Sequence, residues 1–243
     1  MFMATNKKKN SSKKAKTGSR PSKAKAHPKR AKLKAQVNFE VPHYPQTEEF
    51  TSSAACTMMV LKYLNKNFKL TKDQEYGIWQ EAVNGSVWHG SKYGIAYALA
   101  KRGARVRILS NTKDEGYDRK LAVYENVNLD TLTASFNEIR DKASSMKIEE
   151  EHSNNITINS IKKALSANQL PIVLIDANVI NPYMESSPHW VVVTGYDKDA
   201  FYINDPYSDS TMTLDAEVFK SALGYDNADK NFHIIATDLR KRK

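Results

Sequence analysis

The side chains with chemistry suited to acyl transfer are Gln46, Ser52, Cys56, His89, His189 and Asp205. Such a reaction needs a nucleophile, a base that removes its proton, a group that orients the base, and a donor to the oxyanion. Ser52 follows Thr51, and either residue can cap a helix. A side chain in the first turn of that helix would face free N–H groups that stabilise a thiolate or an oxyanion. Cys56 lies one turn deeper, so the sequence predicts an acyl-transfer site at this helix start.

Helical patterns dominate the first half of the chain after residue 36. Apolar residues recur at helical spacing from Cys56 to Leu64, which predicts one buried stripe on an amphipathic helix. A second helix is expected after Thr71. A third is expected over about residues 92–102, ending at Gly103 as a left-handed cap. Further helical periods cover about residues 128–145 and 157–168.

Strand-like runs are concentrated in the last two-fifths of the chain. Residues 171–175, 189–195, 200–203 and 232–236 are rich in β-branched and aromatic side chains and are separated by turn residues. An earlier strand is expected over residues 105–110. This segregation predicts an α+β fold in which N-terminal helices pack on an antiparallel sheet. His189 then opens one strand and Asp205 follows the next, 16 residues later, across a hairpin.

Five segments carry a resemblance to a known family: Val41-Pro-His-Tyr-Pro-Gln46, Phe50-Thr-Ser-Ser-Ala-Ala-Cys56, Trp88-His-Gly-Ser-Lys-Tyr-Gly-Ile-Ala96, Pro188-His-Trp-Val-Val-Val-Thr-Gly-Tyr-Asp197 and Tyr202-Ile-Asn-Asp-Pro206. Their order resembles the papain-like cysteine peptidases, and more narrowly the double-glycine peptidases that process bacteriocin leaders. The resemblance implies a papain-like fold over about residues 37–240. It also implies that Gln46 supplies an oxyanion-hole amide, that His189 is the base and that Asp205 orients it.

The chain departs from that family at the nucleophile. The family pattern resembles Thr-Cys-Gly-Pro-Ala-Cys, whereas this chain reads Thr51-Ser-Ser-Ala-Ala-Cys56. Ser52 therefore occupies the nucleophile position, and Cys56 falls at a second position where we expect a packing role, with a relocated nucleophile as the alternative. Serine must lose its proton during attack and gains nothing from a resting ion pair with histidine. The substitution fits an inactive relative that binds peptide, a weak serine-type hydrolase or a cysteine replaced by design; the changes at Ser53 and Ala54 favour natural divergence.

The other candidate residues have simpler interpretations. His89 is expected to be a surface-loop histidine, although it could line the cleft or support a residue that does. Gln46 could bond the backbone of its own loop, His189 could be a satisfied residue at a strand start, and Asp205 before Pro206 could be an ordinary turn residue. No spacing of His, Cys or acidic residues suits a structural zinc site, so neither a metal nor another cofactor is expected.

Charge divides the chain into two parts. Residues 1–36 hold 13 Lys and Arg and no acidic residue, while residues 37–239 hold 20 basic and 27 acidic residues. The composition of residues 1–36 predicts a disordered Lys-rich tail, and residues 37–243 are expected to form the peptidase-like domain. The tail could solvate the chain only, or bind nucleic acid or another anionic surface weakly and without sequence preference.

One cysteine excludes an internal disulfide, and no apolar run is long enough for a membrane span or a secretory signal, so we expect a cytoplasmic protein. The sequence thus predicts a hydrolase acting on peptide or amide bonds through Gln46, Ser52, His189 and Asp205. The alternatives are a catalytically inactive module that binds a peptide or protein, and a polyanion-binding adaptor that acts through the tail.

Overall fold

The computed structural model describes residues 33–83, 87–113, 118–225 and 232–239. Within these ranges the helices are α1 (Ser52–Leu64), α2 (Lys72–Ala82), α3 (Lys92–Lys101), α4 (Asp118–Tyr124), α5 (Leu129–Ser144), α6 (Ile158–Ser166), α7 (Ala177–Ile180) and α8 (Ala216–Ala222). The strands are β1 (Val37–Asn38), β2 (Val106–Ser110), β3 (Glu149–His152), β4 (Gln169–Asp176), β5 (Pro188–Tyr196), β6 (Ala200–Asn204), β7 (Thr211–Asp215) and β8 (His233–Asp238).

The strands form one sheet in the order β3-β2-β8-β4-β5-β6-β7, with β1 paired to β5. All pairings are antiparallel except that of β2 with β3, which is parallel. The α+β class and the packing of helices on a mostly antiparallel sheet are therefore confirmed, with β2 and β3 as the parallel pair. The sequence did not reveal β3 because it consists of three glutamates and a histidine with no apolar alternation.

Strand β5 is buried on both faces and separates two hydrophobic cores. Trp190 and Val192 face the core that contains α1 and α3, while Val191 and Val193 face the core that contains α6 and α8. Gly195 lets β1 approach closely, because a Cβ there would lie 2.3 Å from the carbonyl oxygen of Val37. Because β5 lies between β4 and β6, its first residues are held in place by neighbouring strands and by both cores.

Helix α1 is more deeply buried than its sequence pattern predicts. Its first ten residues, 52–61, are all buried, so it is surrounded on every side rather than along one stripe. It packs on β5 and against α2 and α3. The small side chains of Ser52, Ser53, Ala54 and Ala55 allow this close approach.

The predicted basic tail falls mostly outside the described residues, and so do residues 240–243, which hold the remaining four basic residues. Of the tail, residues 33–36 are described. The Lys34 N–H donates to Ser166 Oγ at 3.1 Å, and the Lys34 carbonyl accepts from the Tyr196 hydroxyl at 2.7 Å. Contacts with the domain therefore begin before Val37, and disorder of residues 1–32 stays a prediction.

No helix in the described part of the chain is both long and apolar enough to cross a membrane.

Candidate functional site

A histidine and a carboxylate form a buried pair where β5 begins and β6 ends. The Nε2 atom of His189 lies 2.7 Å from Oδ1 of Asp205, and both side chains are almost fully buried. The hairpin of β5 and β6 pairs Val192 with Asn204, which carries Asp205 back to the start of β5. The same Oδ1 accepts the N–H of Tyr207 at 2.9 Å in an Asx-type turn before the next strand.

Opposing effects set the protonation state of Asp205. Burial alone would raise the pKa of its carboxyl, but the hydrogen bond and charge of His189 and the Tyr207 N–H outweigh burial and lower that pKa. The carboxylate therefore stays ionised and accepts the Nε2 proton of His189. That bond leaves Nδ1, which has no hydrogen-bond partner among the described residues, as the ring nitrogen with a free lone pair. A base arranged in this way can accept a proton from a nucleophile at Nδ1.

Helix α1 reaches this pair through its packing on β5. The Cys56 thiol donates to the carbonyl of Trp190 at 3.1 Å, and Trp190 directly follows His189. Ser52 lies one helical turn before Cys56 on the same side of α1. These contacts bring the first turn of α1 to the end of β5 that carries His189.

Ser52 is the first residue of α1, and its side chain is 4% exposed. Its hydroxyl has no hydrogen-bond partner within the described residues, and in particular it makes no hydrogen bond to His189. Thr51 occupies the N-cap position but does not cap with its side chain, and the first turn contains no acidic residue. The first-turn N–H groups of α1 therefore keep their capacity to stabilise an anion at Ser52.

Gln46 lies beside the pair, but its amide is engaged elsewhere. Its backbone N–H donates to the carbonyl of Pro206 at 2.8 Å, which fixes the loop next to Asp205. Its side-chain Nε2 donates to the carbonyls of Glu48 and Glu49, at 2.9 and 3.1 Å. The buried Oε1 has no partner in the described part of the chain. An oxyanion-donor role for Gln46 would therefore require its amide to leave these two carbonyls.

Glu75 organises the loop that carries Gln46, a role that no motif in the sequence indicates. Its buried carboxylate accepts from the Thr51 hydroxyl at 2.5 Å, the Thr47 N–H at 2.9 Å and the Tyr44 hydroxyl at 3.0 Å. Burial and the adjacent carboxylate raise the pKa of Tyr44 to about 12. Glu75 on α2 thus joins the loop to the N-terminus of α1.

His43 makes a second contact beside the site that no sequence motif indicates. Its Nε2 lies 2.9 Å from the backbone carbonyl of Asp205. Together with the bond between Gln46 and Pro206, it holds residues 43–46 alongside residues 205–206. The quoted segment Val41-Pro-His-Tyr-Pro-Gln46 contains His43, but nothing in its spacing indicates what the ring contacts.

The surface-loop interpretation of His89 was wrong. Its side chain is 12% exposed, and its Nδ1 lies 2.5 Å from Oε1 of Glu125. The same carboxylate accepts the backbone N–H groups of Trp88 and His89, each at 2.9 Å. The sequence could not predict this pair, because Glu125 lies 36 residues away in a segment with no motif.

Comparisons with known proteins identify the family and the fold of this chain. A family model described as a Peptidase C39-like family matches residues 41–223. The chain belongs to the Peptidase C39-like family. The resemblance inferred from its Gln46, His189 and Asp205 segments is thereby confirmed, and the matched range contains all three. The comparison with curated proteins gave no match.

One solved structure of a C39-like peptidase shares the fold of this chain, and two further solved structures are similar to it at a lower TM-score. A C39-like peptidase from Bacillus anthracis is 15% identical with a TM-score of 0.50, covering 86% of this chain and 98% of that one. A double glycine motif protease from an AMS/PCAT transporter, solved with the leader peptide, is 16% identical with a TM-score of 0.44, covering 83% and 94%. The peptidase domain of the Streptococcus transporter ComA is 15% identical with a TM-score of 0.44, covering 82% and 99%.

Cys56 has the packing role that the family pattern implies. The residue is fully buried, and burial followed by the nearby charge of Asp205 raises the pKa of its thiol well above the ordinary value. A thiol in this environment stays protonated and is a poor nucleophile. In this family member the first turn of α1 therefore presents a hydroxyl, at Ser52, as its nucleophile candidate.

The structure thus brings together part of the predicted set. His189 and Asp205 are hydrogen-bonded, the Gln46 backbone lies beside them, and Ser52 lies at the start of the helix packed on β5. The side chains of Ser52 and Gln46 make no bond to the pair. No group of three His, Cys, Asp or Glu residues that could hold a metal ion occurs among the described residues.

Proposed function

We propose that this chain is a peptidase-like protein that recognises peptides at the N-terminus of α1 and cleaves them poorly. The observation that carries the proposal is the intact His189–Asp205 pair beside a helix start that carries Ser52 instead of a thiol. The pair keeps a base and its orienter. Serine lacks the low pKa that makes a cysteine thiolate reactive before the substrate arrives, so the site is better suited to binding than to turnover.

Two cavities beside the helix start support peptide recognition. One, of about 310 Å³, is lined by the loop that carries Gln46 and by the turn at Pro206 and Tyr207. The other, of about 280 Å³, lies between Phe50, Trp88 and Tyr124. An extended peptide that crosses the α1 N-terminus could place side chains in both.

A larger cavity lies elsewhere. It has a volume of about 710 Å³, is formed around the C-terminal end of α1, and is lined by no histidine, serine or cysteine. It therefore lacks a nucleophile and a base, and it does not compete with the His189 site as the place of chemistry.

Weak serine-type hydrolysis is the second candidate function. It is favoured by the ionised Asp205, which would stabilise the imidazolium formed when His189 takes the Ser52 proton. In this account Ser52 attacks the carbonyl carbon, its proton passes to Nδ1 of His189, and His189 then protonates the leaving amine. Water hydrolyses the resulting ester by the reverse sequence of proton transfers.

The test compares binding and cleavage in the same peptide library. We expect the wild-type chain to retain peptides and leave them largely uncut, and Ser52→Cys to cleave retained peptides, as seen by mass spectrometry. His189→Ala in the Ser52→Cys background is the control and should abolish cleavage. Measurable wild-type cleavage that is lost in Ser52→Ala would favour the serine-hydrolase account instead. The proposal fails if the wild-type chain retains no peptide and Ser52→Cys cleaves none.

The cytoplasmic location and the polyanion partner of the tail stay predictions.

A further inference from the structure

The pocket of about 280 Å³ beside the α1 N-terminus takes no part in the proton transfers described above. Its lining residues are Glu49, Phe50, Trp88, His89, Tyr124 and Glu125. The volume is close to the lower end of the range for small-molecule sites, about 300–1,000 Å³, and suits a single side chain better than a larger ligand.

The pocket has aromatic walls that are open to solvent. The residues Trp88 and Tyr124 are 55% and 49% exposed. Phe50 packs edge-on against Trp88 with ring centroids 4.8 Å apart, and His89 packs edge-on against Tyr124 at 5.4 Å. Exposed tryptophan and tyrosine faces carry negative electrostatic potential and attract cations.

The lining carries acidic side chains, one of which is paired with the His89 ring. Two of the six lining residues, Glu49 and Glu125, are carboxylates, and none is lysine or arginine. Burial raises the pKa of the Tyr124 phenol, and the charges of Glu185, Glu49 and Glu125 raise it further, in that order. Three carboxylates therefore lie close enough to act on one wall of the pocket.

The carboxylate at the base of the pocket is held rigidly. Glu125 is fixed by the N–H groups of Trp88 and His89 and by the His89 ring. Trp88 is held in turn by the indole of Trp79, whose Nε1 donates to the Trp88 carbonyl at 2.8 Å. The site is thus built before any ligand arrives, which reduces the entropic cost of binding.

The segment of residues 88–90, which supplies Trp88 and His89 to the pocket lining, also contacts the His189 site. Phe50 lies two residues before Ser52. Gly90 packs directly on Ser53, and its carbonyl accepts from Nε1 of Trp190 at 2.8 Å, the residue after His189. A peptide bound across the α1 N-terminus can therefore place a side chain in the pocket.

We propose that this pocket is a specificity subsite for a cationic side chain, lysine or arginine, of a bound peptide. The proposal rests on the proposed function, because the side chain belongs to a peptide in the His189 cleft. An aliphatic side chain would pack against the aromatic walls equally well but would gain no attraction from the carboxylates. Charge is therefore the property that distinguishes the occupants.

The first experiment tests the pocket without a peptide. N-acetyl-lysine methylamide and N-acetyl-arginine methylamide are titrated into the ¹⁵N-labelled full chain, and the indole N–H signal of Trp88 is followed by NMR. The signal is assigned with Trp88→Phe, and N-acetyl-norleucine methylamide is the uncharged probe. We expect a saturable shift of the Trp88 signal with the cationic probes and a shift at least fivefold smaller with norleucine.

Variants identify the groups responsible. Glu125→Gln and Glu49→Gln should each weaken binding of the cationic probes at least threefold and leave the norleucine response unchanged. Glu49 is exposed, so its variant keeps the test valid if Glu125→Gln disturbs the Trp88 segment. Glu217→Gln removes an exposed charge on α8, outside the pocket lining, and is the matched control that should change nothing.

The second experiment uses alanine-based peptides that carry one lysine, arginine, norleucine or glutamate at each position in turn. Fluorescence anisotropy should show tighter binding for lysine or arginine at one position, and the preference should vanish in Glu125→Gln and weaken with salt. Probes that shift Trp88 while no peptide binds would refute the proposed function but support the pocket as a cation site. Equal responses to norleucine and lysine, or none at Trp88, would overturn the subsite proposal even if peptides bind elsewhere.

Discussion

Gly90→Ala should destabilise the domain through one identifiable contact. A Cβ at position 90 would lie 2.2 Å from Ser53 Oγ and 2.6 Å from Ser53 Cβ. Rotation of the Ser53 hydroxyl relieves the first contact but not the second. Overpacking of this kind costs about 1–3 kcal/mol in unfolding free energy.

Ser53→Gly should rescue Gly90→Ala, because it removes both clashing atoms. Its own cost is small: glycine in place of serine within a helix costs about 0.5 kcal/mol. That cost is offset because the buried Ser53 hydroxyl has no partner in the described part of the chain, and an unsatisfied hydroxyl costs about 1–3 kcal/mol. Ser53→Ala removes only Oγ and should rescue partially. Gly90→Ala should be the least stable of the three. Its double variant with Ser53→Ala should be more stable, and its double variant with Ser53→Gly should be the most stable.

Urea unfolding followed by tryptophan fluorescence measures these differences. Gly94→Ala is the matched control, because a Cβ there would lie 2.1 Å from the backbone carbonyl of Ala82, which no change at Ser53 can relieve. The interaction energy between positions 90 and 53 should reach at least about 1 kcal/mol, and that between 94 and 53 should be near zero. Gly90→Ala with wild-type stability, or with an equal effect in the Ser53→Gly background, would refute the packing of Trp88-His-Gly90 on α1.

Three further predictions concern single features. Cys56 should react slowly with thiol reagents in the native state, and Cys56→Ser should lower the unfolding free energy by about 1–3 kcal/mol; rapid labelling that depends on His189 would contradict the buried placement. Folding lowers the pKa of Asp205, so its ionised pairing with His189 should stabilise the domain at pH values above the ordinary Asp pKa, about 3.9. The difference in unfolding free energy between the wild-type chain and Asp205→Asn should shrink as pH falls through the lowered pKa. A difference that stays constant from neutral to acidic pH would refute this prediction. Deleting residues 1–32, which spares the Lys34 contacts, should leave thermal stability unchanged and abolish salt-sensitive retention on heparin; retention by the truncated chain would place polyanion binding in the acidic body.

The parts of the fold that follow local rules were predictable from the sequence. The segments that form β4, β5 and β6 are rich in β-branched and aromatic residues and are bounded by turn residues. These signals were enough to place the strands and the hairpin that joins His189 to Asp205. The helical period around Cys56 located α1. Its burial on all sides could not be seen, because small residues such as Ser53 give no apolar signal although they allow close packing.

The parts that depend on long-range contacts were not predictable. Glu75 binds a loop 24 to 31 residues away, and Glu125 binds His89 over 36 residues. An isolated glutamate in a sequence is far more often a solvated surface residue, so neither role had a local signature. The Gln46 amide differs from these two, because its carbonyl partners lie two and three residues away, and a bond to the backbone of its own loop was one of the expectations from the sequence.

The central claim is that a base and its orienter are positioned to act on the side chain at position 52. The most direct test is the pKa of the thiol in Ser52→Cys, measured from the ultraviolet absorbance of the thiolate as pH is raised. The wild-type chain, with Cys56 alone, supplies the baseline, because the pKa of that buried thiol is raised well above the ordinary value. The account predicts a new thiolate with a pKa well below about 8.5 that rises when His189 is replaced by alanine. A thiol at position 52 that titrates near 8.5 with or without His189 would contradict it.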